Sequence, residues 1–88
     1  MLNYLECSIK DFNEAMNVKD EDVKNISSEY LYILFTKYSS DYRVVKDSHN
    51  LTHKRISKEI TRKKELYKQE LNNRGIEVEE QPFYVKRD

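Results

Sequence analysis

Residues 51–75 read LTHKRISKEITRKKELYKQELNNRG. Within them Ile56, Ile60, Tyr67 and Leu71 recur at multiples of three to four and are joined by Leu66, the period of a helix with one buried face. Lys54, Arg55, Lys58, Arg62, Lys63, Lys64 and Lys68 fill much of the remaining circumference. Two arrangements satisfy this pattern. One is a single helix of about twenty residues. The other is a helix near 51–60, a break at Thr61, and a second helix from 62 to about 73 that Thr61 caps. No Gly or Pro marks such a break. Gly75, the chain's only glycine, follows Asn72, Asn73 and Arg74 as the expected left-handed terminator.

Upstream, Asp47, Ser48, His49 and Asn50 are turn and cap residues that launch this stretch. Before them, Tyr42, Val44 and Val45, with Arg43 and Lys46 around them, predict one short strand. Ser39, Ser40 and Asp41 are expected to end the preceding helix, which Ser27 or Ser28 caps and which runs to residue 38 or 40. Leu31, Leu34, Phe35 and Tyr38 form its inward stripe, and Tyr30, Tyr32 and Ile33 widen it until the helix must be covered on most sides. This is the expected central core element. The tyrosines would alternatively make a stacking platform for bases, although tyrosine at helical spacing is more often core or core edge.

Residues 17–27, NVKDEDVKNIS, are polar and acidic without a sustained period. Asp20, Glu21 and Asp22 lack the spacing and glycine of a calcium loop, so they read as a solvated connector or as a first helical turn, where acids suit the dipole. Leu2, Leu5, Ile9, Phe12 and Met16 fall on one side of a helix from about 2 to 17. Ser8 with Asp11 three residues on is a second, later start signal. The stripe over 2–16 serves as a homodimer seam or a docking helix for a partner, or else covers the domain's own core. Two heptads are too few for a coiled coil.

Downstream of Gly75, Ile76, Glu77, Val78 and Glu79 alternate, then Glu80-Gln81-Pro82 intervene, then Phe83, Tyr84, Val85 and Lys86 follow. This predicts a two-stranded hairpin with the proline in its connection.

Eighty-eight residues, 38% hydrophobic and 36% charged with seven tyrosines and three phenylalanines, bound the chain to one small folded domain over 1–88. One Gly and one Pro favour helices over a many-stranded sheet. The single Cys7 excludes an internal disulfide and a thiolate zinc site and suits a reducing compartment. There is no apolar run long enough for a membrane span and no basic-then-apolar leader, so a cytoplasmic location and no membrane partner are expected. No cofactor is expected.

The zero net charge hides an asymmetry. Residues 1–36 carry three Lys and seven acids, 37–74 carry eleven Lys or Arg and five acids, and 75–88 carry two and four. A neutral average with a basic middle is what a binding face on an ordinary domain gives.

Helix, short strand, one or two helices and a terminal hairpin is the element order of a winged helix. Glu29-Tyr30-Leu31-Tyr32…Tyr38 followed by Leu51-Thr52-His53-Lys54-Arg55-Ile56-Ser57-Lys58-Glu59-Ile60 resembles the C-terminal winged-helix domain of phage and mobile-element primase–helicases and replication initiators. In that family an "LY…Y" helix precedes a basic "S-x-x-x-F-S-K-E-L"-like helix, and a β-hairpin closes the domain. The resemblance covers residues 28–88. It departs at Ile56, where the family has an aromatic, and in the basic run that continues to Gly75. It implies a mainly α fold with a small β-hairpin, winged-helix-like: helix-turn-helix plus C-terminal wing over 28–88, with 1–20 as an N-terminal amphipathic helix. It further implies origin or template DNA beside a helicase or primase partner; no GxxxxGK[ST] loop is present, so the motor itself is not in these residues.

Of the chemistry the residues offer, His49 and His53 are four apart, a spacing metals use, but no third ligand or thiolate accompanies them, and capping or surface histidines fit better. Cys7 has no evident base or oxyanion site. Glu59 with Lys63 and Glu65 with Lys68 or Gln69 suit helix ion pairs. No enzyme is read here. Residues 54–68 hold seven bases and two acids, enough for several phosphate contacts, with short hydroxyls able to bond phosphates or bases. The expected DNA-binding set is Thr52, His53, Lys54, Arg55, Ser57, Lys58, Arg62, Lys63 and Lys64 on the basic helix, with Lys86 and Arg87 on the hairpin, and duplex rather than single-stranded DNA as ligand. The competing reading is a small protein-interaction or regulatory accessory subunit of a phage or mobile element whose basic residues are a solvated face or meet an acidic protein.

Overall fold

A computed structural model describes residues 5–79 and 83–86. The fold is built on one antiparallel pair of helices. Ser27 Oγ accepts the Tyr30 backbone N–H at 3.2 Å and starts α2, Ser28–Val45. Leu31, Leu34 and Phe35 are almost fully buried along it, as the period requires. The helix does not stop at Ser39, and the strand expected over 42–45 is not formed: Tyr42, Val44 and Val45 are its last turn. Packing explains the difference. Thr36 and Ser39 are fully buried, Tyr38 lies against Tyr67 with ring centroids 5.6 Å apart, and Val45 is buried in its turn, so the helical stripe continues past the serines. Burial along a continuous face outweighs the weak preference of two β-branched residues for a strand.

The turn after α2 behaves as its composition predicts. Ser48 Oγ accepts the Asn50 N–H at 3.1 Å, and Asn50 Oδ1 accepts the Thr52 and His53 N–H groups at 2.8 and 3.4 Å. Asn50 thereby caps α3, Leu51–Asn73. It is one helix through Thr61. Ile60, Tyr67 and Leu71 are buried, whereas Ile56, expected on the same inner face, is 42% exposed. Gly75 ends the helix at φ +80. The Gly75 N–H bonds Asn72 O and the Ile76 N–H bonds Leu71 O, both at 3.0 Å, the paired closure of a Schellman motif.

At the other end of the chain the expected helix over 2–17 is shorter. Leu5–Ser8 is a strand, β1, and α1 spans Ile9–Met16. Ser8 is the N-cap, its Oγ accepting the Asp11 N–H at 3.1 Å, so the later of the two start signals operates. Residues 1–4, including Leu2 of the stripe, lie outside the described residues. Ala15 is fully buried, and Phe12 and Met16 pack on the core, so this part of the stripe is used within the domain. The acidic connector contains a 3₁₀ helix, Asp20–Asn25, pinned by Val23 at 2% exposure.

The small sheet is a correction of a different kind. Phe83–Lys86, β2, pairs in parallel with β1, with Leu5 opposite Phe83 and Ser8 opposite Lys86. It does not form a hairpin with 76–79, which carries no strand. That segment is committed elsewhere: the Ile76 N–H closes α3, Ile76 and Val78 pack on the core, and the Tyr32 hydroxyl lies 3.3 Å from Glu79 N and 3.4 Å from Glu79 O. The Glu80-Gln81-Pro82 connection lies outside the described residues. Phe83 meets Phe12 at 5.6 Å between ring centroids, and the sheet packs on α1 and α2. The result is a mainly helical domain whose core joins Ala15, Val23, Leu31, Leu34, Phe35, Tyr67 and Leu71.

Arg74 locks the return of α3. Its guanidinium donates to Ile26 O at 2.8 Å, Ser28 Oγ at 3.1 Å, Lys24 O at 3.1 Å and Val23 O at 3.3 Å. One side chain thereby holds the acidic connector against the start of α2 and the end of α3.

Candidate nucleic-acid interface

Because α3 is continuous, its first three turns extend past the last large core residue. Ile60 is the first buried position, and Leu51 before it is 74% exposed. Lys54, Arg55 and Lys58 lie on this projecting portion, exposed to solvent, and with Leu51 they line a recess of about 480 Å³. Among the described residues, none of the three has a carboxylate at ion-pair distance. At the end of α2, Arg43 and Lys46 are also exposed, beside Val44 at 71%. From 43 to 58 the tip of the helix pair thus holds five cations, Arg43, Lys46, Lys54, Arg55 and Lys58, against the single acid Asp47.

The next cations of α3, Arg62, Lys63 and Lys64, are in a different state, while Lys68 beyond them is exposed with no ion pair among the described residues. Arg62 Nη2 lies 2.9 Å from Asp20 Oδ2, and the same guanidinium donates to Glu59 through Nε and Nη2. Lys63 Nζ is 3.6 Å from Asp20 Oδ1 and 5.7 Å from the Tyr38 ring centroid. Lys64 Nζ sits 5.0 Å from the centroid of Tyr42, a cation–π distance. These contacts leave a signature in the acids. The hydrogen bond from Arg62 holds both Asp20 and Glu59 below the ordinary carboxylate range, and the bonds from Glu59 and Asp20 raise the Arg62 guanidinium in turn. The helix ion pair expected between Glu59 and Lys63 is made with Arg62 instead.

The predicted site residues therefore divide. Thr52 is exposed, with its backbone N–H on the Asn50 cap; His53 places Nδ1 2.8 Å from Ser48 Oγ and belongs to the turn; Ser57 Oγ donates to Lys54 O at 2.9 Å. Lys54, Arg55 and Lys58 are brought together and left open. Arg62, Lys63 and Lys64 face the body of the domain. Lys86 ends β2, on the sheet that packs on α1 and α2, and Arg87 lies outside the described residues. Sequence reasoning passed over Arg43 and Lys46, which a longer α2 would have placed at the tip. It also passed over Asp20, whose role depends on an approach between distant segments that no local pattern announces.

The thiol of Cys7 is 8% exposed, and burial, then Asp11, then Glu6 push its pKa up from 9.0, which keeps it protonated. Comparison with known proteins finds no matching family model, no matching curated protein and no matching solved structure.

Proposed function

We propose that the domain binds nucleic acid, duplex DNA in the first place, with the tip of the α2–α3 pair. The observation that carries this is the contrast along one helix. Arg62 and Lys63 are neutralised by Asp20 and Glu59, while Lys54, Arg55 and Lys58 stand on adjacent turns with no counter-charge among the described residues. A cation already paired within its own chain gains little from a phosphate, whereas an open one releases condensed counterions when it binds. The first turn of α3 carries no acid, so the helix N-terminus adds its own positive end to the same tip. The exposed hydroxyl of Thr52 adds a short donor beside these cations.

The resemblance to winged-helix domains of phage and mobile-element replication proteins supplies a setting, DNA beside a helicase or primase. In that reading α3 is the recognition helix, and in place of a hairpin wing the chain has β2, with Lys86, paired in parallel with β1 at the end away from the tip. The alternative, an accessory subunit working by protein contact, draws support from a separate acid-rimmed groove beside β1.

The test is anisotropy of labelled duplex and single-stranded DNA at low salt, with wild type and with Lys54→Glu, Arg55→Glu and Lys58→Glu combined. Circular dichroism verifies that the variant is folded. Wild type is expected to bind duplex and the variant to lose binding. Wild type that binds neither form, or a folded variant that binds as well as wild type, would sink the proposal.

A further inference from the structure

At the end of the molecule away from the tip, a groove of about 470 Å³ runs between β1 and the first turns of α2, with Ile76 from the segment after α3 on its wall. Cys7, Tyr32, Ile33 and Ile76 form its apolar part, and Glu6, Asp11 and Glu29 stand around it, with no Lys or Arg among its described lining residues. Both Glu6 and Cys7 face it, although they project to opposite sides of their strand, one exposed and the other buried. No residue of β2 lines it. A groove touched by consecutive β1 side chains and not by β2 lies along the strand's outer edge. Among the described residues β1 has one strand partner, β2, so this edge carries main-chain donors and acceptors with no ladder on that side.

We infer that this groove is a docking site for an extended basic segment of a partner protein, added as a third strand along Leu5–Ser8. An added strand obeys the same two-residue alternation as β1. Its side chains on one face would meet Cys7, Ile33 and Ile76, and those on the other would meet Glu6, with Asp11 and Glu29 completing the acidic lining of the groove. The occupant is thus a segment alternating apolar residues with Lys or Arg. Charge complementarity selects it: three acids and no base line the groove, so an acidic or purely apolar strand leaves carboxylates facing like charge or nothing. The chain's own basic stretch does not qualify, because residues 51–73 are helical and cannot supply a ladder. This inference is independent of DNA binding at the tip, which uses none of these residues.

The probe is a synthetic Lys–Val alternating peptide of about eight residues, long enough to span the strand, titrated into isotope-labelled protein and followed by amide shifts. A Lys–Gly peptide of the same length keeps the charge and removes the apolar face; a Glu–Val peptide reverses the charge. Saturable shifts centred on Cys7, Tyr32, Ile33 and Ile76 are expected with Lys–Val, weaker binding with Lys–Gly, and none with Glu–Val. Glu6→Lys with Glu29→Lys, both at exposed positions, should weaken the Lys–Val peptide about tenfold while leaving the spectrum dispersed. Three results would overturn the inference. They are no saturable shift with Lys–Val, equal and scattered shifts with Lys–Gly and Lys–Val, or shifts of the same four residues on raising protein concentration alone, which would make a second copy the occupant.

Discussion

If phosphate is held by the open cations and not by the paired ones, the salt dependence of DNA binding is set by their number. Lys54, Arg55 and Lys58 are the three cations on the first turns of α3, and none has a carboxylate in reach among the described residues. Each phosphate neutralised on duplex DNA contributes about −0.9 to the slope of log affinity against log salt, so three give about −2.7. Between about 50 and 200 mM salt that is a loss of about 40-fold. Engagement of Arg43 and Lys46 as well would steepen the slope to about −4.5 and the loss to about 500-fold. Titrations of labelled duplex at four or more salt concentrations give the slope directly. Lys54→Ala, Arg55→Ala and Lys58→Ala should each remove about 0.9 from it. Arg62→Ala should leave it unchanged, because that guanidinium is held by Asp20 and Glu59 in the free protein. Arg62→Ala flattening the slope as much as Lys58→Ala would refute the reasoning, since intramolecular pairing would then not decide which cations reach DNA.

Three further outcomes concern the scaffold. Tyr67 is 1% exposed with its ring on Tyr38, so Tyr67→Ala should lower the unfolding free energy by about 3–5 kcal/mol in a urea titration, a large part of what a domain this small has; a loss under about 1 kcal/mol would place the core elsewhere. Ser39 is fully buried and its hydroxyl has no partner among the described residues, so Ser39→Ala should raise stability by about 1 kcal/mol, read as a higher melting temperature, and a drop would show the hydroxyl to be bonded. Arg62 lowers Asp20 and Glu59 from 3.8 and 4.5, so the stabilisation from that cluster is present above those values and lost as pH falls through the lower folded-state ones. The melting-temperature gap between wild type and Asp20→Asn should accordingly hold from neutral pH down to 3.8 and narrow only below it, and a gap that persists in strong acid would assign it to something other than charge.

What the sequence disclosed was local chemistry. Ser27, Asn50 and Gly75 act through bonds to residues two to five positions away, and each does what its type and neighbours suggest. What it concealed depends on distant partners. Ser39 looks like a helix terminator until the fold buries it, and only then do residues 40–45 belong to a helix. Alternation on both sides of Glu80-Gln81-Pro82 predicts a hairpin, while the actual partner of β2 is Leu5–Ser8 at the other end of the chain. The site divides in the same way. Helical period was enough to group Lys54, Arg55 and Lys58, but the pairing of Arg62 and Lys63 with Asp20 joins segments 42 and 43 residues apart and takes two cations out of the basic face.

The distribution of charge along α2 gives the zero net total a different meaning. Glu6, Asp11 and Glu29 gather at the start of that helix, while Arg43 and Lys46 stand on its last turn and C-cap, and Lys54, Arg55 and Lys58 on the first turns of the helix that follows. Eighteen residues separate the two ends by about 27 Å along the helix axis. At physiological ionic strength the screening length is about 8 Å, so neither end cancels the field of the other in solution. A polyanion approaching the tip meets a local excess of positive charge whatever the chain's sum, and a basic segment approaching the groove meets the opposite. Overall neutrality therefore argues against neither interaction. It reflects two oppositely charged surfaces held apart by one helix, and the Asp20 bridge to Arg62 and Lys63 keeps the positive one confined to the tip.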